Sequence, residues 1–332
     1  MKGNGTWRIW LIGVMALLQA ACAGLHPLRE GADQAVYVVA RPDAAGLAAR
    51  HAPVFVVGGQ NQPANRIGTP AARLDEAGRS QIFVDPATPT VYFQEQSFST
   101  AQGTYTNLIY RVHFPEVPFS LVPLQLTAGK NVGLLVVITL NDRQEPVLVT
   151  TLHTCGCYLA IIPTSFLPAA AYPADWRADG QRIYGVTLPG RLVFDAGVAP
   201  RLNVEIAVRD GDHRVADVRP LGADATPTGS PARDLILRPM ADLTELPLDG
   251  GASTSFFEEQ GSRRGYVKGS QKPIERLLMG WWALDLHVGE DKALGPTEET
   301  GVVLYTSLKP WARCQSDLWH FADFLRYWGW KL

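Results

Sequence analysis

The run VGLLVVITL (Val132–Leu140), the polar turn Asn141–Pro146 and the run VLVTTLHTCGCYLAII (Val147–Ile162) decide the fold class. Two β-branched runs around a short polar loop predict an antiparallel hairpin. Their near-continuous apolar character places it centrally, buried on both faces. In the second run, His153, Cys155 and Cys157 stand two residues apart, so an extended strand would project one imidazole and two thiols from one side. No other part of the chain concentrates as much chemistry.

Working outward, the pattern stays β-rich. Ala35–Ala40 and Pro53–Val57 read as short strands, and Gln60–Gly78 as a polar surface loop. Gln81–Val84 and Thr90–Gln94 flank the proline-containing connection Asp85–Pro89, which reads as a hairpin bend. In Thr104–Phe114, Leu108, Tyr110, Val112 and Phe114 form an expected core face, and Asn107, Ile109, Arg111 and His113 a semi-exposed one. Beyond the hairpin, Pro163, Pro168 and Pro173 interrupt regular sheet. Gly190–Phe194 and Leu202–Val208 are strands, and Asp210-Gly211-Asp212 turns the latter into His213–Val218. Gly301–Thr306 is a last strand. The tail Ser316–Trp328 reads as a helix capped by Ser316, with Leu318, Phe321, Leu325 and Trp328 as its apolar stripe. The fold class expected is mainly β, an antiparallel sandwich or open barrel with long Pro/Gly-rich loops and a C-terminal α-helix. It comprises one β-rich domain over 35–332, with a sub-boundary available in the small, polar 222–233 linker.

Composition narrows the function classes. The chain has 332 residues, 46% hydrophobic and 19% charged, enough for a large core. Its 31 glycines and 24 prolines favour turns and short strands over long helices. The net charge is −2, and removing Lys2 and Arg8 with the leader takes it to −4 with no run of like charges. That balance offers no electrostatic footprint for nucleic acid.

Residues 1–21 have the layout of a signal peptide: Lys2 and Arg8, the apolar segment Ile9–Leu18, then small residues. The sequence Leu18-Gln19-Ala20-Ala21-Cys22 resembles the bacterial lipoprotein cleavage box, with Gln19 where that pattern usually has leucine. The resemblance implies lipidation (palmitate) of Cys22, a tether over 22–34 and a lipid anchor in the membrane. Ala23 rather than aspartate after the cysteine implies sorting to the outer membrane, the domain facing the periplasm. Ordinary cleavage after Ala21-Cys22-Ala23, giving a secreted or periplasmic protein, and an uncleaved anchor are the alternatives.

If Cys22 is lipidated, Cys155, Cys157 and Cys314 remain, and three thiols cannot all pair within one chain. A bridge from Cys155 or Cys157 to Cys314 would staple the tail to the central hairpin. A bridge between Cys155 and Cys157 needs Gly156 to bend the strand, and so small a ring is easily reduced. The alternative is a metal site, zinc or copper, on His153, Cys155 and Cys157, completed by Cys314, His113 or His320. The last reading is inert packing. Asp285 and His287, read as neighbours on one strand face, form a second candidate for base or ligand work, against the plainer reading of an exposed polar face. Common enzyme signatures are missing. The function expected is an envelope lipoprotein that binds or supports an envelope protein partner, its cysteines structural and without a cofactor. The alternative is an extracytoplasmic metalloprotein or thiol enzyme using His153, Cys155 and Cys157.

Overall fold

In the computed structural model, which describes residues 33–39, 46–122, 124–194, 203–221 and 232–332, strands dominate. In chain order they are β1 (Gln34–Val39), β2 (Val54–Gly58), β3 (Thr69–Leu74), β4 (Ser80–Asp85), β5 (Thr90–Ser99), β6 (Thr104–Val117) and β7 (Gly129–Leu140). Then follow β8 (Pro146–His153), β9 (Ala160–Pro163), β10 (Gln181–Ile183), β11 (Val186–Leu188), β12 (Asn203–Val208), β13 (Val215–Leu221) and β14 (Ala232–Pro239). Among the described residues ten of them form one curled sheet in the order β13-β12-β2-β1-β14-β5-β6-β7-β8-β9. The expected mainly β class holds, and the sheet is mixed. The β5–β9 meander is antiparallel, while β1/β14, β12/β2 and β14/β5 are parallel pairs.

The central hairpin forms as expected. β7 pairs with β8 from Leu134↔His153 to Leu140↔Pro146. The Asn141 carboxamide closes the turn by accepting the N–H groups of Arg143 and Glu145 at 3.0 and 2.9 Å. This is an Asx-type turn. Period-two alternation then sorts the apolar side chains between two cores. Leu108, Tyr110, Val112, Phe114, Leu134, Val136 and Ile138 face the inside of the curl, against Tyr37, Phe55 and Ile206. Ile109, Leu135, Val137, Leu148 and Leu152 face outward, where the C-terminal third covers them with Leu243, Phe256, Leu304 and Phe324.

That cover corrects one expectation. Asn107, Arg111 and His113, expected to be semi-exposed, are fully buried, because the chain after Met240 packs over their face of β6. Other differences are local. Gln60–Gly78 contains β3, which pairs with β4, so Asp85–Pro89 joins two different sheets and is not a hairpin bend. Gly190–Phe194 and Gly301–Thr306 contribute only the isolated bridges Thr164↔Leu192 and Tyr305↔Asp317. The tail helix is short, Phe321–Tyr327, and His320 stands at its N-cap. Ser316 instead accepts the Ser307 N–H at 3.1 Å. Helix Pro273–Ala283 ends at Leu284 in the left-handed region, so Asp285 and His287 lie in turns and share no strand face.

The leader, Cys22, the tether up to residue 32 and residues 222–231 of the linker lie outside the described residues. No described helix is long and apolar enough to cross a membrane.

Candidate functional site

The run Val147–Ile162 is not one strand: β8 ends at His153, β9 starts at Ala160, and a tight loop lies between. Gly156 N–H donates to His153 O at 2.8 Å and His153 N–H to Cys157 O at 2.9 Å. Gly156 sits at φ +92°, and a Cβ there would strike the carbonyl oxygen of Tyr305. Only glycine fits both demands.

The turn draws Cys155 and Cys157 to a Cα separation of 5.6 Å, and they form a disulfide. The expected bridge to Cys314 is thereby corrected: Cys314 is a free, exposed cysteine. The ligand atoms of His153, Cys155 and Cys157 all lie within 4.8 Å of one another, the one such group among the described residues. They converge through a bend, where an extended strand was expected. Cys314, His113 and His320 are not part of the group. His113 instead accepts from Arg111 Nε at 2.8 Å, between the rings of Tyr92 and Phe256.

The loop rests on a buried charged network from the 290–292 segment. Asp291 accepts from the Thr154 hydroxyl, from Gly133 N–H at 3.2 Å, and pairs with Lys272 Nζ at 3.0 Å. Lys292 Nζ donates to Cys155 O at 3.1 Å and to Glu290 O at 3.0 Å, with the Tyr305 ring centre 4.6 Å away. Burial pushes the Lys292 ammonium down to about 8, against the pull of Asp285 and Asp291. His153 is lowered to about 4 by burial and by the Lys272 charge. Its Nε2 lies 3.0 Å from the His213 carbonyl oxygen. A carbonyl only accepts, so the neutral ring carries its proton on Nε2 and leaves Nδ1 with a lone pair.

The disulfide loop lines a cavity of about 730 Å³, together with Trp176, Trp328, Trp330 and Glu275. Cys155 is buried and Cys157 only partly so. Glu275 belongs to the first turn of helix Pro273–Ala283. Burial raises its carboxyl, against the nearby Lys272 and Lys292 charges, and its Oε2 has no hydrogen-bond partner. Gly289 leaves room for it: a Cβ there would collide with that carboxylate.

The second expected constellation does not form an acid–base pair. Asp285 accepts from the Tyr305 hydroxyl and the His287 N–H, while the His287 ring turns to Glu290 Oε1 at 3.3 Å. Burial works to raise the Asp285 carboxyl, but those donors and the nearby cations hold it below its usual value. Sequence reading missed Arg111, Lys272, Glu275 and Lys292, and noted Asp291 only as an acidic neighbour of Asp285 and His287. The available signal was Arg111 with His113 at spacing two on a strand flanked by apolar runs. Comparison with protein-family models, with curated proteins and with solved structures finds no match to this chain.

Proposed function

We propose that the chain is an exported, lipid-anchored envelope protein that exchanges its Cys155–Cys157 disulfide with dithiols entering the adjoining cavity. The leader and the box ending at Cys22 support the location. An envelope protein partner carrying two thiols is the substrate class. The observation that carries the reaction is the position of the disulfide, between residues two apart on a cavity wall. It ties no separate elements together. Loop closure rewards a three-residue ring with about 1.5 kcal/mol, against about 5 kcal/mol for the roughly 160-residue ring of a Cys157–Cys314 bridge. Stapling the fold is therefore a weak use for it.

Exchange follows from the burial of the two sulfurs. One thiolate of the dithiol attacks Sγ of the more accessible Cys157, a new S–S bond forms there, and the electron pair departs on Cys155. The Cys157 N–H, 3.4 Å from Cys155 Sγ, and the Lys292 ammonium beside Cys155 O favour that negative charge. The second thiolate then attacks the mixed disulfide and releases Cys157. The substrate dithiol is oxidised, the loop is reduced, and the two protons pass from substrate to loop. A more oxidising disulfide reverses the sequence.

The test uses Cys314→Ser protein, so that the exposed thiol does not interfere. Mixed with a reduced dithiol peptide, it should oxidise one peptide per chain. Adding Cys155→Ser leaves Cys157 as a free thiol. With the same peptide supplied as its disulfide, that thiolate should attack it and be trapped as a mixed disulfide on Cys157, the other peptide sulfur leaving as a thiolate. A bridge that survives excess dithiol in the folded protein would rule the reading out. Globomycin-sensitive processing at Cys22 checks the anchor; insensitive cleavage contradicts it.

A second reading has its own support. The His153 Nε2–H donation to a backbone carbonyl is the outer-shell arrangement found behind metal-bound histidines. In the reduced loop, Nδ1 and two thiolates would suit zinc or cuprous copper. Stoichiometric metal in reduced protein, lost in His153→Gln, would favour it; none bound would remove it.

A further inference from the structure

On the outer face of β6 the Arg111 guanidinium is fully buried and incompletely partnered. Its Nε donates to His113 at 2.8 Å and its Nη1 to the Lys292 carbonyl at 2.9 Å, while Nη2 has no hydrogen-bond partner. Among the described residues no carboxylate lies within ion-pair distance of it. Its remaining close neighbour is the Phe257 ring, 5.3 Å from the guanidinium carbon. A buried cation without an anion costs several kcal/mol, and a guanidinium is not relieved by losing its proton at neutral pH. Burial lowers Arg111 to about 10, against the pull of Asp291, an anion that acts on it without contact.

Arg111 forms part of the wall of a second cavity, about 670 Å³, separate from the disulfide pocket. Phe93, Phe257 and Trp319 supply apolar and aromatic surface there, with Ser255 beside them. Glu258, Glu259 and Glu299 also line it, and their charge disfavours a ligand with several negative groups. We infer that this cavity binds a small monocarboxylate with an apolar or aromatic body, its carboxylate taking up the unpartnered Nη2 of Arg111, which is closed to solvent in the free protein, and its body the aromatic wall. The pairing is chemically matched: a guanidinium edge takes a carboxylate oxygen by a charge-assisted hydrogen bond. A buried polar group left unpaired in the free protein is satisfied in the complex.

The experiment is calorimetric titration of the folded protein with benzoate, hexanoate, benzamide and phenyl phosphate as probes. Benzoate should bind saturably, benzamide at least about tenfold more weakly, and phenyl phosphate more weakly than benzoate. Arg111→Met should abolish benzoate binding. Because that substitution alters a buried network, Ala241→Trp supplies an independent test, as Ala241 is an exposed residue of the cavity lining. It should keep the wild-type melting temperature and lose benzoate. Equal affinity for benzoate and benzamide, benzoate binding unchanged in Ala241→Trp, or no saturable binding up to the solubility of the probes would overturn the inference. Tighter binding of phenyl phosphate would also overturn it, since it would assign the site to phosphate esters.

Discussion

The two faces of β6 and β7 are equally buried and entirely different in kind. Inside the curl, Leu108, Tyr110, Val112, Phe114, Leu134 and Val136 meet other apolar strands, and nothing there depends on an exact partner. On the outer face Asn107, Arg111 and His113 are equally buried, Asn107 accepting from the Thr139 hydroxyl, Arg111 donating to the Lys292 carbonyl and His113 packed on Phe256. There the cost of burial is offset group by group through specific partners, and not completely. The apolar face holds the sheet together. The polar one leaves Asn107 Nδ2, His113 Nδ1 and Arg111 Nη2 without hydrogen-bond partners, and Glu275 Oε2 on the wall of the disulfide cavity is likewise without one; of these residues Arg111 and Glu275 line the two cavities. Incomplete compensation is where ligands and chemistry are to be sought.

The contrast should be visible in unfolding experiments. The largest effect belongs to Asp291→Ala, which strands the buried Lys272 and removes the acceptor of Thr154 and Gly133. A loss of about 3–5 kcal/mol is expected in urea denaturation. Replacing the pair together, Lys272→Met with Asp291→Leu, should recover most of it. A small effect of the single substitution would mean the network is not a unit. On the opposite face, Leu134→Ala should cost about 2–5 kcal/mol by leaving a cavity. Rescue by a neighbouring larger residue is expected there, where on the polar face only the paired change helps.

Acid sharpens the comparison. His113 on the polar face, His153 beside the loop and His213 stacked on Phe114 all have folded pKa values below their ordinary value, chiefly through burial. The unfolded chain therefore takes up protons first as pH falls. Stability is complete above about pH 6.5 and declines below it, by up to about 1.4 kcal/mol per pH unit for each histidine. For His153 the decline ends near its folded value of about 4. Urea midpoints from pH 7 to 4 measure the slope, and His113→Gln should remove one share of it. The smallest effect is assigned to the disulfide. Cys155→Ser with Cys157→Ser should lower stability by only about 1.5 kcal/mol; a loss near 5 kcal/mol would make the bridge a structural staple after all.

Much of the inner face was legible because alternation is local: Leu108, Tyr110, Val112 and Phe114 show their common side within seven residues. The outer face was not, since Arg111 and His113 look like residues that reach water. They partner each other at spacing two, but the segment that buries them, with the Lys292 carbonyl, lies some 180 positions along the chain, at a distance no periodicity encodes. At the site, the grouping of His153, Cys155 and Cys157 was read correctly for an incorrect reason. Strand spacing would have held the sulfurs apart, whereas Gly156 at positive φ folds them together. Nothing in the sequence sets where Cys314 lies, and the bridge assigned to it does not form.

The central claim is that the Cys155–Cys157 bridge is an exchangeable pair within an intact fold. Equilibrating the native Cys314→Ser protein in dithiothreitol buffers of graded potential, quenching with an alkylating agent and weighing the loop peptide tests it directly. The account predicts a two-electron transition at a potential where circular dichroism still reports the full β signal. A loop that stays oxidised across the whole series, or opens only as that signal collapses, would contradict it.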